Sequence, residues 1–342
     1  MIELAPDSEQ QKIVDHVAGL LASRYPVDRL RPRAAGDAPE SRDWKSFAAL
    51  GWIGIGLPGA LGGVDLTLVE EALVFRELGR FLMSPALLAT SLAAYAAAQA
   101  GWTSMVEALL SGAKRSALAI PTGALALSAQ TIEGELHLLD AEGADTLIVW
   151  NDAGVALIRR SDLGAASRCD AMDTSIALER AMARGIVPVV FVPAHDSSLR
   201  LRADLLIAAQ LIGMAEAARD IAADHARTRE QFGKPIGAFQ AVAHHCADMA
   251  VRAAAASTQM RFAALAARDE RDDAAFQVAA ASLLAGEAAF RNATIGIRVL
   301  GGMGYTADCP LHHYLKRTIL LRRAAGGAHP HRERLLADAS TQ

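Results

Sequence analysis

A short stretch near residue 230 combines an arginine, a phenylalanine and two residues that break helices. It reads Arg229-Glu230-Gln231-Phe232-Gly233-Lys234-Pro235 and continues to Gln240. Arg229 offers a planar and permanent positive charge, while Gly233 and Pro235 predict that a helix ends and the chain turns. A phosphate group is bound by cations and by backbone N–H donors. The structural alternative places Arg229 in an ion pair on a helix and Phe232 in the core.

A second stretch, further along the chain, is rich in glycine. It reads Leu300-Gly301-Gly302-Met303-Gly304-Tyr305-Thr306. Glycine tolerates positive φ and lets the backbone approach a ligand closely. The stretch does not follow a predicted strand, which argues against a Rossmann-type dinucleotide site. A glycine loop is by itself more typical of a turn than of a binding site, so its meaning depends on the elements around it.

The elements that must position these stretches are mostly helical. Hydrophobic residues make up 52% of the chain and aromatic residues only 5%, and alanine-rich segments favour closely packed helices over strands. Helical periodicity predicts helices before residue 113 and again after residue 201. In the last segment an apolar seam typical of a helix bundle recurs at Val242, Cys246, Met249, Ala253, Ala256 and Met260.

Between these helical segments, short apolar runs predict strands. The runs are Leu136–Leu139, Thr146–Trp150, Val155–Ile158 and Ile186–Val192. The residues Asn151-Asp152-Ala153-Gly154 predict a hairpin turn between the second and third runs. We therefore predict an α+β fold that is mainly α. It has an N-terminal helical domain (1–113), a reduced middle β-domain (114–200) and a C-terminal four-helix bundle (201–342).

Residues in all three segments resemble the acyl-CoA dehydrogenase family of flavoproteins. Beside the two stretches above, Leu50-Gly51-Trp52-Ile53-Gly54-Ile55 and Glu77-Leu78-Gly79-Arg80 match the family's N-terminal pattern. The end of the chain, with His313-Tyr314-Leu315-Lys316-Arg317, resembles the actinobacterial members of steroid side-chain breakdown. The resemblance implies α,β-dehydrogenation of an acyl-CoA thioester with FAD, and an electron-transfer flavoprotein as the acceptor.

The resemblance assigns FAD-binding roles to both stretches. In the family, the arginine and phenylalanine contact the pyrophosphate and adenine of a neighbouring subunit's FAD, and the glycine loop meets the same FAD from the other subunit. Tyr305 is expected to line the acyl pocket or to pack, and an arginine replaces the family's usual glutamine at position 298. The implied cofactor-binding residues are Arg229, Gln231, Phe232, Gln240, Arg298, Gly301, Gly302 and Gly304. A cofactor shared across a boundary implies a homo- or hetero-oligomer, a dimer of dimers.

The glutamate that removes the α-proton in this family is absent from both positions where relatives keep it. Those positions hold Gly326 and Ala203. The neighbouring Asp204 is the remaining candidate base, although one residue along a helix turns by about 100°. The alternative is that Asp204 caps a helix, because an apolar run follows it.

Three functions follow from this missing base. The chain is an acyl-CoA dehydrogenase with an unusual base, or a partner subunit that completes the FAD site of a sister chain. Several of the steroid-degrading relatives are heterotetramers in which one chain lacks the base, which favours the second. The third function is a flavin oxidase of the same fold that uses Asp204 as its base.

Composition and spacing argue against several other classes. The net charge is −4, and no basic run indicates a nucleic-acid partner. Three scattered cysteines, Cys169, Cys246 and Cys309, have no CxxC spacing, and the histidines form no ligand set, so no metal is expected. We find no uncharged stretch long enough for a membrane span and no signal peptide, so we expect a cytoplasmic protein.

Overall fold

The computed structural model describes residues 4–30, 43–196 and 198–339. The described residues form ten α-helices. These are α1 (Ser8–Arg24), α2 (Trp44–Ala49), α3 (Leu68–Arg80), α4 (Pro85–Gln99), α5 (Thr103–Leu110), α6 (Ser198–Thr228), α7 (Gln240–Arg268), α8 (Ala274–Val299), α9 (Leu311–Ala324) and α10 (His329–Ala339). The prediction of a mainly helical chain with a β-rich middle is confirmed.

The same residues form ten strands, eight of them in one sheet. The strands are β1 (Ser116–Pro121), β2 (Ala126–Leu127), β3 (Ile132–Leu139), β4 (Thr146–Asn151), β5 (Gly154–Arg159), β6 (Ser167–Cys169), β7 (Leu178–Ile186), β8 (Val190–Pro193), β9 (Glu230–Gln231) and β10 (Lys234–Pro235). The predicted run at 186–192 is divided, because β7 ends at Ile186 and β8 begins at Val190. The last two strands form a separate small hairpin.

The chain divides into two compact units, which are described separately. The bundle unit contains residues 4–30, Ala72–Leu82 and 204–339, and the sheet unit contains residues 43–71 and 83–203. Helices α3 and α6 each contribute residues to both units. The division into three consecutive domains stays a prediction.

The sheet unit is built on one mixed sheet with helix α4 against it. The strand order is β6-β7-β3-β1-β4-β5-β8, and β2 pairs with β3. Strands β4 and β5 pair with Asn151 opposite Gly154, which confirms the predicted hairpin. One face of the sheet buries an apolar cluster that includes Leu136, Leu147 and Ile158. Helix α4 is buried along nearly its whole length, because it packs on β1 and β4.

The bundle unit is organised around the antiparallel pair α7 and α8. The Gln259 side chain donates to the Gln277 side chain at 2.8 Å near one end of the pair. Further along, the amide of Asn292 donates to the Met249 carbonyl oxygen at 3.0 Å and to the Ala215 carbonyl oxygen of α6 at 3.1 Å. Of the predicted seam, Met249, Ala253, Ala256 and Met260 are buried, while Val242 and Cys246 are only half-buried.

Close helix packing in the bundle unit depends on glycine. A Cβ atom added to Gly213 of α6 would overlap the Arg76 carbonyl oxygen of α3, and one added to Gly79 would overlap the Gln210 backbone. The same helices are joined by an ion pair between Arg76 Nε and Glu216 Oε2 at 2.7 Å. Within the described residues, no helix is both long enough and apolar enough to cross a membrane.

Candidate functional site

A tight hairpin follows α6 and presents Phe232 to solvent. Strands β9 and β10 are joined by Phe232 and Gly233, whose φ angles are 53° and 78°. Two consecutive positive φ values are typical of a type I′ turn, and a residue other than glycine in this region costs about 1–2 kcal/mol. The Phe232 ring is 92% exposed. The helix ends at Thr228, before the stop predicted at Gly233 and Pro235. A strained backbone at Phe232 holds the aromatic ring away from the core.

The structure contradicts the structural alternative for this stretch. Phe232 is not in the core and touches Phe239 edge-on at 6.2 Å between ring centroids. Among the described residues, the guanidinium of Arg229 has no hydrogen bond or ion pair, and its backbone N–H donates to the His225 carbonyl oxygen at 2.9 Å. Arg229 therefore keeps its charge available at the surface. Partial burial, and then the Arg229 charge, lower the pKa of His225.

The three glycines of the loop after α8 differ in how strongly the fold requires glycine at each position. Gly301 adopts a φ of 61° directly after the helix end. Gly304 is buried, and a Cβ atom there would overlap the Ile297 carbonyl oxygen. Gly302 has neither a positive φ nor any atom within 4 Å of an added Cβ. Neither packing nor backbone conformation within this chain therefore requires a glycine at position 302. Tyr305 is 77% exposed in this chain, and its role stays a prediction.

Both stretches lie at the same end of the α7–α8 pair. Met249 and Asn292 mark one level of the pair. From there the helices continue about 13 Å back to Gln240 and about 10 Å on to Val299, at 1.5 Å per residue. The exposed Arg298 lies in the last turn of α8. Arg298 and the glycine loop therefore lie at the same end of this helix pair as the start of α7, which the Phe232 hairpin precedes.

Asp204 lies inside a helix and is closed off from solvent. Because α6 begins at Ser198, Asp204 is in its second turn, and the prediction that it caps the helix is wrong. The Asp204 carboxylate is fully buried and accepts a hydrogen bond from Arg334 Nη1 of α10 at 2.9 Å. A buried carboxylate requires such a cationic partner, since an isolated buried charge is very unfavourable.

A small polar pocket surrounds Asp204 in the bundle unit. Its lining includes Asp204, Ser282, Arg322, Ala325, Gly327 and His331. The space inside is about 20 Å³, which is enough for about one water molecule. Ala325 and Gly327, which flank Gly326, line the same pocket as Asp204. Gly326 itself has no side chain, and Ala203 is buried.

A second buried carboxylate occurs in the sheet unit, at Glu71 of α3. It forms an ion pair with Arg202 and accepts hydrogen bonds from Ser91 Oγ at 3.1 Å and Tyr95 Oη at 3.3 Å. The Arg202 guanidinium stacks 3.8 Å from the Tyr95 ring centroid, and the Gly56 N–H donates to the Tyr95 oxygen at 2.8 Å. Burial raises the pKa of Glu71, opposed mainly by the Arg202 charge. Both Glu71 carboxylate oxygens accept hydrogen bonds, and through Tyr95 this network holds the loop around Gly56 against α4.

Sequence reasoning missed Arg334 and the Glu71 network. A buried aspartate signals that a cation lies nearby, but the chain has 34 lysines and arginines. Arg334 is 130 positions from Asp204, so no local spacing identifies it as the partner. In the part of the chain that the structure describes, no group of three or more His, Cys, Asp or Glu side chains could hold a metal ion.

Two family models match the chain. "Acyl-CoA dehydrogenase, N-terminal domain" matches residues 7–113, and "Acyl-CoA dehydrogenase, C-terminal domain" matches residues 202–339. The chain is 30% identical over 316 residues to acyl-CoA dehydrogenase IpdE2 of Mycobacterium tuberculosis, with 92% of each chain covered.

Two solved structures share the fold. The ChsE4–ChsE5 complex from Mycobacterium tuberculosis has a TM-score of 0.83 at 23% identity, with 100% of both chains covered. A variant of the steroid ACAD Tcur3481–Tcur3483 also has a TM-score of 0.83, at 24% identity, and covers 98% of this chain and 99% of that one.

Proposed function

The chain belongs to the acyl-CoA dehydrogenase family, and we propose that it is one subunit of an oligomer that dehydrogenates an acyl-CoA thioester with FAD. In this oligomer it binds the cofactor, while a sister chain supplies the catalytic base. The chain is an acyl-CoA dehydrogenase-like flavoprotein, an oxidoreductase of the class that acts on CH–CH groups. We assign the base to a sister chain because Asp204 is buried and already forms an ion pair with Arg334.

The exposed end of the α7–α8 pair fits the pyrophosphate and adenine of FAD. Arg229 and Arg298 are exposed cations for which the described residues provide no ion pair. The exposed Phe232 ring offers a face for an adenine, and Gly302 leaves room for close backbone approach. Bound FAD would supply the acceptor for the hydride of the acyl β-carbon. The residues of this chain hold and orient the cofactor's nucleotide half.

The proton chemistry is not provided by the Asp204 pocket in this state. A general base must lie within hydrogen-bond reach of the proton that it removes. The carboxylate of Asp204 is instead bonded to Arg334, and the remaining space of about 20 Å³ cannot admit a thioester. Positions 203 and 326 hold alanine and glycine. Within the proposal, the base therefore comes from another chain.

The relatives support this kind of assembly and suggest a substrate class. The ChsE4–ChsE5 structure is a complex of two differently named chains, and Tcur3481–Tcur3483 is named as a steroid ACAD. We propose a heterotetramer, as a dimer of dimers, that acts on a bulky, steroid-derived acyl-CoA and passes electrons to an electron-transfer flavoprotein. A homotetramer is the alternative. The cytoplasmic location stays a prediction.

The test compares the chain purified alone with the chain co-expressed with a candidate catalytic sister chain. We expect no turnover of acyl-CoA by the chain alone, and a larger mass, bound flavin and turnover for the pair. Arg229→Ala should release flavin from the pair. Arg227→Ala is the matched control, because Arg227 is exposed in the same helix end but already paired with Asp224.

A second candidate function is a self-sufficient enzyme with Asp204 as the base. It is favoured by one observation, the presence of Asp204 in the same pocket as Ala325 and Gly327, which flank the family's base position. Turnover by the chain alone that is lost in Asp204→Asn would establish this function and contradict the proposed subunit role. Turnover of a substrate that is not a CoA thioester, with consumption of oxygen, would instead indicate the flavin oxidase.

A further inference from the structure

One wall of the Asp204 pocket is made by α10 and the residues directly before it. Gly327, Ala328 and His331 line the pocket from this side, and His331 is only 2% exposed. The other walls come from α6, α8 and α9, including Ile207 and Leu211 of α6. Movement of α10 alone would therefore open the pocket, while the three longer helices keep their positions.

Two consecutive glycines join α9 to α10. Gly326 and Gly327 have φ angles of 86° and 81°, a region in which glycine is far less restricted than other residues. Their N–H groups donate to the carbonyl oxygens of Arg323 and Arg322, so they close the end of α9. An added Cβ at Gly327 would meet no atom within 4 Å. Glycine is thus required there by the backbone conformation and not by packing. A pair of glycines at the end of one element is well suited to absorb a hinge motion.

An ion pair fastens α10 to the interior of the bundle unit. The Arg334 side chain is 36% exposed, whereas the Asp204 carboxylate that it reaches at 2.9 Å is completely buried. Arg334 therefore connects the surface helix to the bottom of the pocket. A second ion pair of α10, between His329 and Glu333, lies within the helix and is largely exposed. The two pairs offer a matched comparison on the same helix.

We propose that α10 is a gate over the Asp204 pocket. The observations behind this are the pocket wall formed by α10, the glycine pair before it and the ion pair that fastens it. The gate is hinged at Gly326–Gly327 and held shut by the ion pair between Arg334 and Asp204. In the shut state Asp204 is paired, and the pocket holds about one water molecule. In the open state the Asp204 carboxylate, Ser282 and Arg322 become accessible to a polar ligand. The gate concerns the chain's own pocket, and it stands whether or not the proposed FAD role is correct.

The test measures how fast a thiol reagent reaches the pocket. Ser282 is 8% exposed and lines the pocket, so Ser282→Cys places a probe of nearly the same size there. Labelling is read by peptide mass, which separates position 282 from Cys169, Cys246 and Cys309. Removing the ion pair with Asp204→Asn plus Arg334→Ala leaves no unpaired buried charge, so folding is protected. We expect labelling to become at least about tenfold faster, because the open state is more populated.

Glu333→Gln in the same Ser282→Cys background is the control. It breaks the exposed pair of α10 and should leave the labelling rate unchanged. Amide hydrogen exchange provides the second readout, and we expect faster exchange in residues 329–337 but not in α6, α8 or α9. Unchanged labelling without the ion pair would overturn the proposal. So would equally faster exchange in all four helices, since the pair would then be a brace of the whole bundle.

Discussion

The exposed end of the α7–α8 pair and the Asp204 pocket treat their charged residues in opposite ways. At the exposed end, Arg229 and Arg298 have no partner among the described residues, and Phe232 is held in the open by a strained turn. In the pocket, Asp204 is buried and bonded to Arg334. The cations of the exposed end remain available to another molecule, whereas the carboxylate in the pocket is already paired within the chain. Within the proposed function, the exposed end is the cofactor surface, and the pocket that holds Asp204 is closed to a substrate.

The largest effect should come from breaking the pair in the pocket. Arg334→Gln removes the cation that is bonded to the buried Asp204 carboxylate, so the free energy of unfolding should fall by about 3 kcal/mol. This is the lower end of the range for buried pairs, because Arg334 is partly exposed. Urea unfolding measures the loss. Arg229→Gln at the exposed end should change stability by less than about 0.5 kcal/mol, and an equal loss in both variants would remove the contrast.

Within the glycine loop, Gly304 and Gly302 should respond differently to the same substitution. Gly304→Ala should lower the free energy of unfolding by about 1–3 kcal/mol, because its Cβ would overlap the Ile297 carbonyl oxygen. Gly302→Ala should leave stability almost unchanged, because open space surrounds it. Only the second change should weaken flavin binding in an otherwise stable protein. Thermal unfolding and flavin release separate the two effects, and a destabilised Gly302→Ala would contradict the assignment of Gly302 to ligand approach.

Strain at Phe232 gives a smaller effect. Because residue 232 has a φ of 53°, Phe232→Gly should be more stable than Phe232→Ala by about 1 kcal/mol. Within helices and strands, by contrast, the alanine variant is usually more stable than the glycine variant. Both variants should bind flavin more weakly, since both lack the ring. If the alanine variant proves the more stable one, the turn is not strained in the free chain.

The smallest effect concerns pH and the second buried carboxylate. The pKa of Glu71 is raised, first by burial, above its ordinary value of 4.5. In the unfolded chain this proton is lost near pH 4.5, whereas in the folded chain it is lost at a higher pH. Its contribution to stability is therefore present below pH 4.5 and is lost as the pH rises through the folded pKa. The free energy of unfolding of wild type minus that of Glu71→Gln should fall as the pH rises above 4.5 and through the raised folded pKa. Glu107→Gln, at an exposed position of α5, is the control.

Patterns that depend on neighbouring residues were predictable. The hairpin at Asn151–Gly154 and the buried positions Met249 to Met260 follow from turn residues and helical spacing, and both are confirmed. Strand β7 was not predicted, because Leu178–Ile186 carries three charged residues and two alanines, and its pairing with β3 decides its structure. The early start of α6 was also missed. Its first turns carry Arg200 and Arg202 in place of an apolar pattern, and the Arg202 contacts are with distant residues.

The candidate site divides in the same way. Arg229, Phe232 and the glycines could be found from the sequence because residue type and local spacing carry their chemistry. Their roles toward FAD stay predictions. The state of Asp204 could not be found, because it depends on an arginine 130 positions away. A local pattern instead suggested a helix cap, which the structure contradicts.

The conformation of Gly326 also bears on the history of the chain. A single nucleotide substitution converts some glycine codons into glutamate codons, so regaining a carboxylate at this position is a short step at the level of the gene. The backbone at position 326, however, has a φ of 86°, and the next residue, Gly327, also has a positive φ. A reverted glutamate would have to adopt a conformation that side-chain-bearing residues rarely take. A glutamate at position 326 would therefore cost about 1–2 kcal/mol in backbone conformation alone.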